Sequence, residues 1–318
     1  AGIGLDTPNP PGGRIVRNNK GEAIGVFEER AMENIRQAYE DYRKKLSADA
    51  KEKEWQTAIA LAEAECIENG ITSFQDAGSS FEELSRYRRL AEKKELDIRL
   101  WAMARHDYNT LKDVIGKYKY KSPFFTCNAI KSEVDGALGA FGAWLLKPYN
   151  DKPGFTGQNT TDIYEVRKIA GLAIDNDMQF CVHAIGDRAN KVVLDIYEGL
   201  ASLHPEKKDL RWRVEHAQHL AVSDIPRFAK LGIIASMQGV HCTSDAPFVV
   251  KRLGTERART GAYAWRSLLK QGVHIANGTD APVEDVDPIR NFYATVTRKR
   301  EDTRQPFYPE QRMTRAEA

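Results

Sequence analysis

At 318 residues the chain is long enough for one large domain or two ordinary ones. Its content, 42% hydrophobic and 29% charged, is that of globular proteins, and a net charge of +2 gives no push toward nucleic acid or acidic membranes. No apolar run is long enough to span a bilayer, and the 4 cysteines form no CxxC pair, so free thiols in a reducing compartment are expected rather than a zinc–cysteine site.

In chain order, the opening AGIGLDTPNPPGG is rich in Pro and Gly and reads as irregular loop. RIVRNNKGEAIGVF predicts a hairpin that turns at Asn18-Asn19-Lys20-Gly21. Residues 28–69 are helical in pattern, as two helices meeting near Ser47 and stopping at Gly70. A strand–helix rhythm follows. Apolar, β-rich runs fall at 71–78, 98–104, 129–136, 178–187, 211–218, 232–241 (GIIASMQGVH) and 273–282. Between them, Ser80 with Glu83 and Asp162 with Glu165 form capping boxes, Ser223 opens a helix that closes at Gly232, and ARTGAYAWRSLLKQ closes at Gly272.

Strand–helix units in succession imply a parallel sheet, either an open doubly wound one or a closed barrel. Polar residues decide between them. They fall at the C-terminal end of nearly every strand (Asp76, Arg105 and His106, Lys131, His183, His216, His241, Asp280), where a barrel gathers its catalytic groups. An open sheet would concentrate them near one switch point. The expected fold is therefore an α/β (β/α)8 TIM barrel, with residues 1–70 as a loop, hairpin and helical segment leading into it. Residues 71–318 then hold barrel strands two to eight and the metal site. The chain is expected to be incomplete, because one strand of the eight is not found and the capping box of Thr314 and Glu317 precedes no helix.

For any single histidine, a structural hydrogen-bonding role is the commoner explanation. Repeated placement of His183, His216 and His241 at strand ends reverses that preference, since converging imidazoles and a carboxylate suit a borderline cation such as zinc. Asp280, in NGTDAP, is a candidate ligand and proton carrier, or else a turn residue before Pro282. Lys131 enters a buried strand, which is costly unless its charge is paired or removed. As a neutral amine it can take up carbon dioxide to form an anionic carbamate ligand; the alternative is an ion pair with Glu133 or Asp135. His204, His219 and His274 are read as solvated or supporting residues, and His106 stays undecided.

The strings TPNPPGGRIVR, GITSFQDAG, KSEVDGALG, HAIGDRAN, VEHAQ, ASMQGVHCTSD, YAWRSLL and NGTDAPVEDVDPI, in that order, resemble the YtcJ-like amidohydrolases. This is the amidohydrolase 3 branch, which includes N-substituted formamide deformylase. The resemblance spans the chain and implies a deformed TIM barrel with one or two Zn2+ ions or another divalent transition metal. It implies Lys131 as a carboxylated ligand, His183 and His216 as ligands beside it, and Asp280 as ligand and proton shuttle. His241, Asp135 and Arg266 would face substrate. The implied reaction is hydrolysis of an amide- or formamide-type C–N bond by metal-activated water, with Asp280 carrying the proton and His241 holding the oxyanion.

Departures from the family pattern are the absence of any HxH motif and of the flanking β-sandwich, Gly239 where Pro is usual, and Ala140-Phe141 where Ser-Arg often stands. The alternatives are an inactive barrel that binds a small molecule or partner, or a barrel performing isomerisation or deamination. The expected partner is a small-molecule substrate, without nucleic acid or membrane. A homodimer is the assembly considered, and the expected location is the cytoplasm.

Overall fold

The computed structural model describes residues 1–10, 13–29 and 31–318. The chain divides into two compact units, Ala1–Ala64 and Glu65–Ala318. Pro11 and Gly12, part of the loop expected at the start of the chain, lie outside the described residues.

In the first unit, strands β1 (Gly13–Arg17) and β2 (Ala23–Glu29) pair antiparallel, with Ile15 opposite Phe27. The turn forms where the Asn-Asn-Lys-Gly run predicts it. The Asn18 side-chain oxygen accepts from the Lys20 and Glu22 amides at 2.9 and 3.0 Å, and Gly21 supplies the positive φ of 80°. Helices α1 (Met32–Lys44) and α2 (Ala48–Glu68) meet at Ser47, whose hydroxyl accepts from the Ala50 amide.

The second unit is built on seven parallel strands laid side by side in chain order. They are β3 (Ser73–Ser79), β4 (Arg99–Ala104), β6 (Phe125–Glu133), β7 (Gln179–Ala184), β8 (Arg213–His216), β9 (Ile234–Met237) and β10 (Ile275–Asn277). A two-residue strand, β5 (Tyr120–Lys121), pairs antiparallel on β6 and is the one sheet element the sequence pattern did not announce. Right-handed crossovers are the rule for such connections, and the intervening helices cover the sheet's outer face. These are α3 (Phe81–Lys93), the single turns α4 (Tyr108–Leu111) and α5 (Ile115–Tyr118), α6 (Ile163–Asp175), α7 (Asp187–Leu203), α8 (Ile225–Leu231), α9 (Gly239–Leu253), α10 (Thr255–Gly261), α11 (Trp265–Lys270) and α12 (Pro288–Thr297).

Local rules set most of these boundaries. Ser80 and Glu83 form the complete capping box on α3, and Gly232 ends α8 at φ 66°. Asp162 caps α6 through the Tyr164 and Glu165 amides. Glu165 does not reach back to close the box, because its carboxylate accepts from the Tyr108 amide instead. The segment around YAWRSLL is two helices, α10 and α11, broken at residues 262–264, where Tyr263 takes a positive φ.

The sheet curls. In strand order β8 and β3 are separated by β7, β6 and β4, a span of roughly 19 Å if flat. Yet the Arg213 guanidinium on β8 donates to the Gln75 side chain on β3 at 2.6 Å. An arginine bridges that gap only across the concave face of a closing sheet. Among the described residues β3 and β10 are its edges and are not bonded to each other. No helix among the described residues is long and apolar enough to cross a membrane.

Candidate metal centre

Parallel register places the chemistry. Lys131, Cys181, Arg213 and Ile234 align in one row across β6 to β9, and Glu133, His183, Glu215 and Ser236 align in the row two residues on. Residues two apart share a face, so both rows point the same way. His216 follows as the last residue of β8, and Asp280 lies three residues past the end of β10.

His216 and Asp280 adopt left-handed backbone conformations, at φ 74° and 61°, and Ala217 does so at 43°. Such conformations cost about 1–3 kcal/mol each in a non-glycine residue and persist only where surrounding structure enforces them. Here the enforcement is backbone hydrogen bonding on either side. Tyr263 N–H donates to the Gln218 carbonyl at 2.7 Å, and Val283 N–H donates to the Asp280 carbonyl at 2.8 Å. The turns re-aim both side chains from the strand direction toward one point.

At that point one donor atom each from His216, His241 and Asp280 lie within 4.8 Å of one another. His241 Nε2 is 4.0 Å from an Asp280 carboxylate oxygen and, though buried, has no hydrogen-bond partner. His183 packs edge-on against His216 with ring centroids 4.4 Å apart, and its buried Nε2 is likewise unpartnered. Unpaired imidazole nitrogens beside a carboxylate are costly as they stand and form the donor set of a borderline divalent cation. The residues present therefore fit a metal.

Burial sets the charge states. It pushes the His216 imidazole down to about 3 and His241 to about 4, and it holds His183 well below its ordinary value, so all three are neutral at pH 7. It also raises the Asp280 carboxyl to about 6. Burial lowers the pKa of the Lys131 ammonium, whose one hydrogen bond among the described residues goes to the Ser132 carbonyl at 3.2 Å. The positive charge of Lys131 contributes to lowering His183, His216 and Asp280. Its expected ion pair with Glu133 or Asp135 is not formed: Glu133 pairs with Arg105, and Glu215 with Arg213 at 2.8 Å.

Beside this centre is a cavity of about 490 Å³, walled by β3, the ends of β8 and β9, and residues 276–281, with Glu215, Gln238 and Asp280 in its lining. It opens between the two edge strands.

Three sequence expectations change in detail. His241 does not end a strand. Strand β9 stops at Met237, and His241 is the third residue of α9, because the side chains of Asn277 and Asn291 accept from the Gly239 and Val240 amides and so cap that helix. Asp135 is fully buried and does not line the cavity; its two oxygens accept from the Ile185, Gly186 and Trp144 amides at 2.8–2.9 Å and organise the β7–α7 turn, and one of them lies 3.6 Å from His183 Nε2. Arg266 pairs with Glu317 in a separate surface depression with Pro309 and Arg312 and does not line the cavity.

Two residues escaped notice in the sequence. Gln238 Oε1 lies 2.8 Å from His216 Nδ1, and Gln218 Nε2 lies 3.4 Å from His241 Nδ1. Their only signal was an isolated amide at each strand end, in ASMQ and EHAQ.

Comparison with known proteins agrees with this architecture. The chain is 32% identical over 312 residues to the protein LONG AFTER FAR-RED 3 of Arabidopsis thaliana, covering 94% of the chain and 52% of that protein. It is 31% identical to the amidohydrolase YtcJ of Bacillus subtilis, covering 94% and 55%. It is 24% identical to the N-substituted formamide deformylase of Arthrobacter pascens, covering 100% and 58%. The chain thus spans about half the length of the curated relatives it matches. Among solved structures, a metal-dependent hydrolase from Pyrococcus horikoshii superposes with a TM-score of 0.76 at 25% identity, covering 92% of this chain and 57% of that one. With a family model matching residues 1–318 throughout, the chain belongs to the amidohydrolase family.

Proposed function

We propose that the whole protein is a metal-dependent hydrolase that cleaves a C–N bond of amide or formamide type. The observation that carries this is the convergence of His216, His241 and Asp280 donor atoms within 4.8 Å beside a cavity lined by both edge strands, β3 and β10, and by Asp280. The 24% identity to N-substituted formamide deformylase supports the choice of bond. His216, Asp280, His183 and Lys131 would hold one or two divalent ions, with zinc favoured by the nitrogen-rich donor set. A cation bound there supplies water activation at near-neutral pH and polarisation of a carbonyl.

The protein's own groups do the rest. Asp280, raised to about 6 by burial, accepts a proton from the attacking water and returns it to the leaving nitrogen. His241, neutral and with a free Nε2, faces the same space and can donate to an oxygen on which charge develops. Burial disfavours the charged form of Lys131, and Glu133 pairs with Arg105 instead, so its amine is suited to add carbon dioxide and release a proton, giving an anionic carbamate ligand. A further parallel strand between the free edges of β3 and β10 would complete a (β/α)8 barrel around the site. Buried free thiols at Cys127, Cys181 and Cys242 support a reducing, cytoplasmic setting.

The test is metal analysis of the full-length protein together with hydrolysis of amide and N-substituted formamide substrates. Bound zinc or a similar ion and turnover abolished by Asp280→Asn are expected. A metal-free protein whose slow hydrolysis ignores that substitution overturns the proposal and leaves a binding protein in its place.

A further inference from the structure

His216 and His241 lie in the same centre with their rings 6.1 Å apart and inclined by only 19°, and both are buried. Each is met at Nδ1 by a buried glutamine, but by opposite ends of the amide. Gln238 presents its oxygen to His216 at 2.8 Å. Its nitrogen donates to the Ser236 carbonyl at 3.3 Å, which fixes the amide orientation. An amide oxygen only accepts, so His216 carries its single proton on Nδ1 and keeps the lone pair on Nε2. Gln218 instead presents its nitrogen to His241 at 3.4 Å. An amide nitrogen only donates, so His241 Nδ1 accepts and the proton sits on Nε2.

A second observation points the same way. His241 Nε2 faces an Asp280 carboxylate oxygen at 4.0 Å and has no other partner. An N–H aimed at an acceptor is favourable there, whereas a lone pair would confront another lone pair. We propose that Gln218 is a positioning residue that holds His241 in its Nε2–H form, so that His241 is a hydrogen-bond donor of the centre while His216, held oppositely by Gln238, is a ligand. The inference rests on the metal-centre reading above and divides the cluster by role: His216 and Asp280 bind the cation, and His241 binds an oxygen of the substrate. It follows that the substrate class must present an acceptor oxygen, such as a carbonyl, on the His241 side of the centre.

The experiment reads the tautomers directly. Protein labelled with 15N-histidine, stripped of metal, is examined by two-bond 1H–15N correlation at pH 7.5, with His216→Gln and His241→Gln providing assignments. The expected pattern is Nδ1–H for His216 and Nε2–H for His241. Gln218→Glu, whose carboxylate only accepts, should move a proton onto His241 Nδ1. In the metal-loaded enzyme the same variant should lower kcat about 10–100-fold with KM nearly unchanged, the usual scale for residues that orient a centre's side chains. His241 protonated on Nδ1 in the wild-type protein, or a His241 signal unmoved by Gln218→Glu, overturns the proposal. Should that variant not fold, the wild-type spectrum alone decides. Because the spectra are taken without metal, failure of the metal reading leaves this result standing and distinguishable.

Discussion

Asp135 offers the sharpest quantitative test, because its family resemblance assigns it to substrate and its geometry assigns it to the backbone. One carboxylate oxygen accepts from Ile185 N–H at 2.9 Å, and the other accepts from Gly186 and Trp144 N–H at 2.8 Å each. The residue is 3% exposed. Asp135→Ala strands these donors away from solvent. Each unsatisfied buried donor costs about 1–3 kcal/mol, and water entering the vacated space recovers part of that, so a net loss of about 3–5 kcal/mol is expected.

At roughly 2 °C per kcal/mol for a chain of this size, Tm should fall by about 6–10 °C. Asp135→Asn should cost about 2 kcal/mol. Its one carbonyl oxygen serves either Ile185 or the Gly186–Trp144 pair, and its NH2 group confronts an N–H at the other position. Urea denaturation gives the stabilities, and hydrogen exchange should show the Ile185, Gly186 and Trp144 amides losing protection first. If Asp135→Ala instead unfolds within 1 kcal/mol of wild type while KM rises at least about tenfold (about 1.4 kcal/mol of binding), the backbone role is refuted and the substrate role restored.

Asp280→Asn and His216→Ala should each lower bound metal, measured by elemental analysis after dialysis. Chelation should lower Tm, since a cation present at about a hundred times its Kd stabilises the fold by about 2.7 kcal/mol. Gly239→Ala should destabilise by several kcal/mol in urea, because a Cβ there would stand 2.0 Å from Thr295 Oγ1 and 2.8 Å from the Asn291 carbonyl oxygen. Burial raises the Asp245 carboxyl to about 6, with Tyr263 as its hydrogen-bond donor. A carboxyl raised in the folded state stabilises fully below its unfolded pKa near 3.9 and loses that contribution as pH climbs through 6. Asp245→Asn should therefore gain on wild type by on the order of 2 kcal/mol between pH 4.5 and 7.5 in melts followed by circular dichroism, and a constant difference across that range contradicts the assignment.

What the sequence revealed, it revealed through local physics. The central strands β6, β7 and β8 are buried on both faces and read as apolar runs, while the more exposed edge strands β3 and β10 were found from β-rich runs ending in turn signals. Caps such as Ser80–Glu83 involve neighbours three residues apart and are legible for that reason. Misreadings came where a partner lies far along the chain. The helical start at Gly239 is decided by Asn277 and Asn291, so the run ending in His241 looked like strand to its last residue. Arg266, for which the resemblance implies a substrate-facing role, pairs with Glu317 from 51 positions away. Gln218 and Gln238 are 20 or more residues from the histidines they touch, with separations of 23 and 22, and no periodicity marks such pairs.

The same distinction explains why the proposed ligands stand out in the sequence and their proposed roles do not. A residue that must leave the strand direction to reach a common centre sits just past the apolar run, and His216 and Asp280 are there, at left-handed φ values of 74° and 61°. Histidine and aspartate tolerate that region better than most residues, so the residue types proposed to bind a cation are also among those least penalised by the turn that aims them. His241 reaches the centre by another route, from the first turn of a helix at ordinary φ, with Gln218, on the loop that follows β8, beside its Nδ1. In the proposed centre the backbone would thus separate the two kinds of group: strained strand ends would carry the ligands, and an unstrained helix start the hydrogen-bond donor. Relieving the strain at His216 would cost binding of the cation before it cost stability of the fold, whereas removing the amide at Gln218 would leave binding and lose direction.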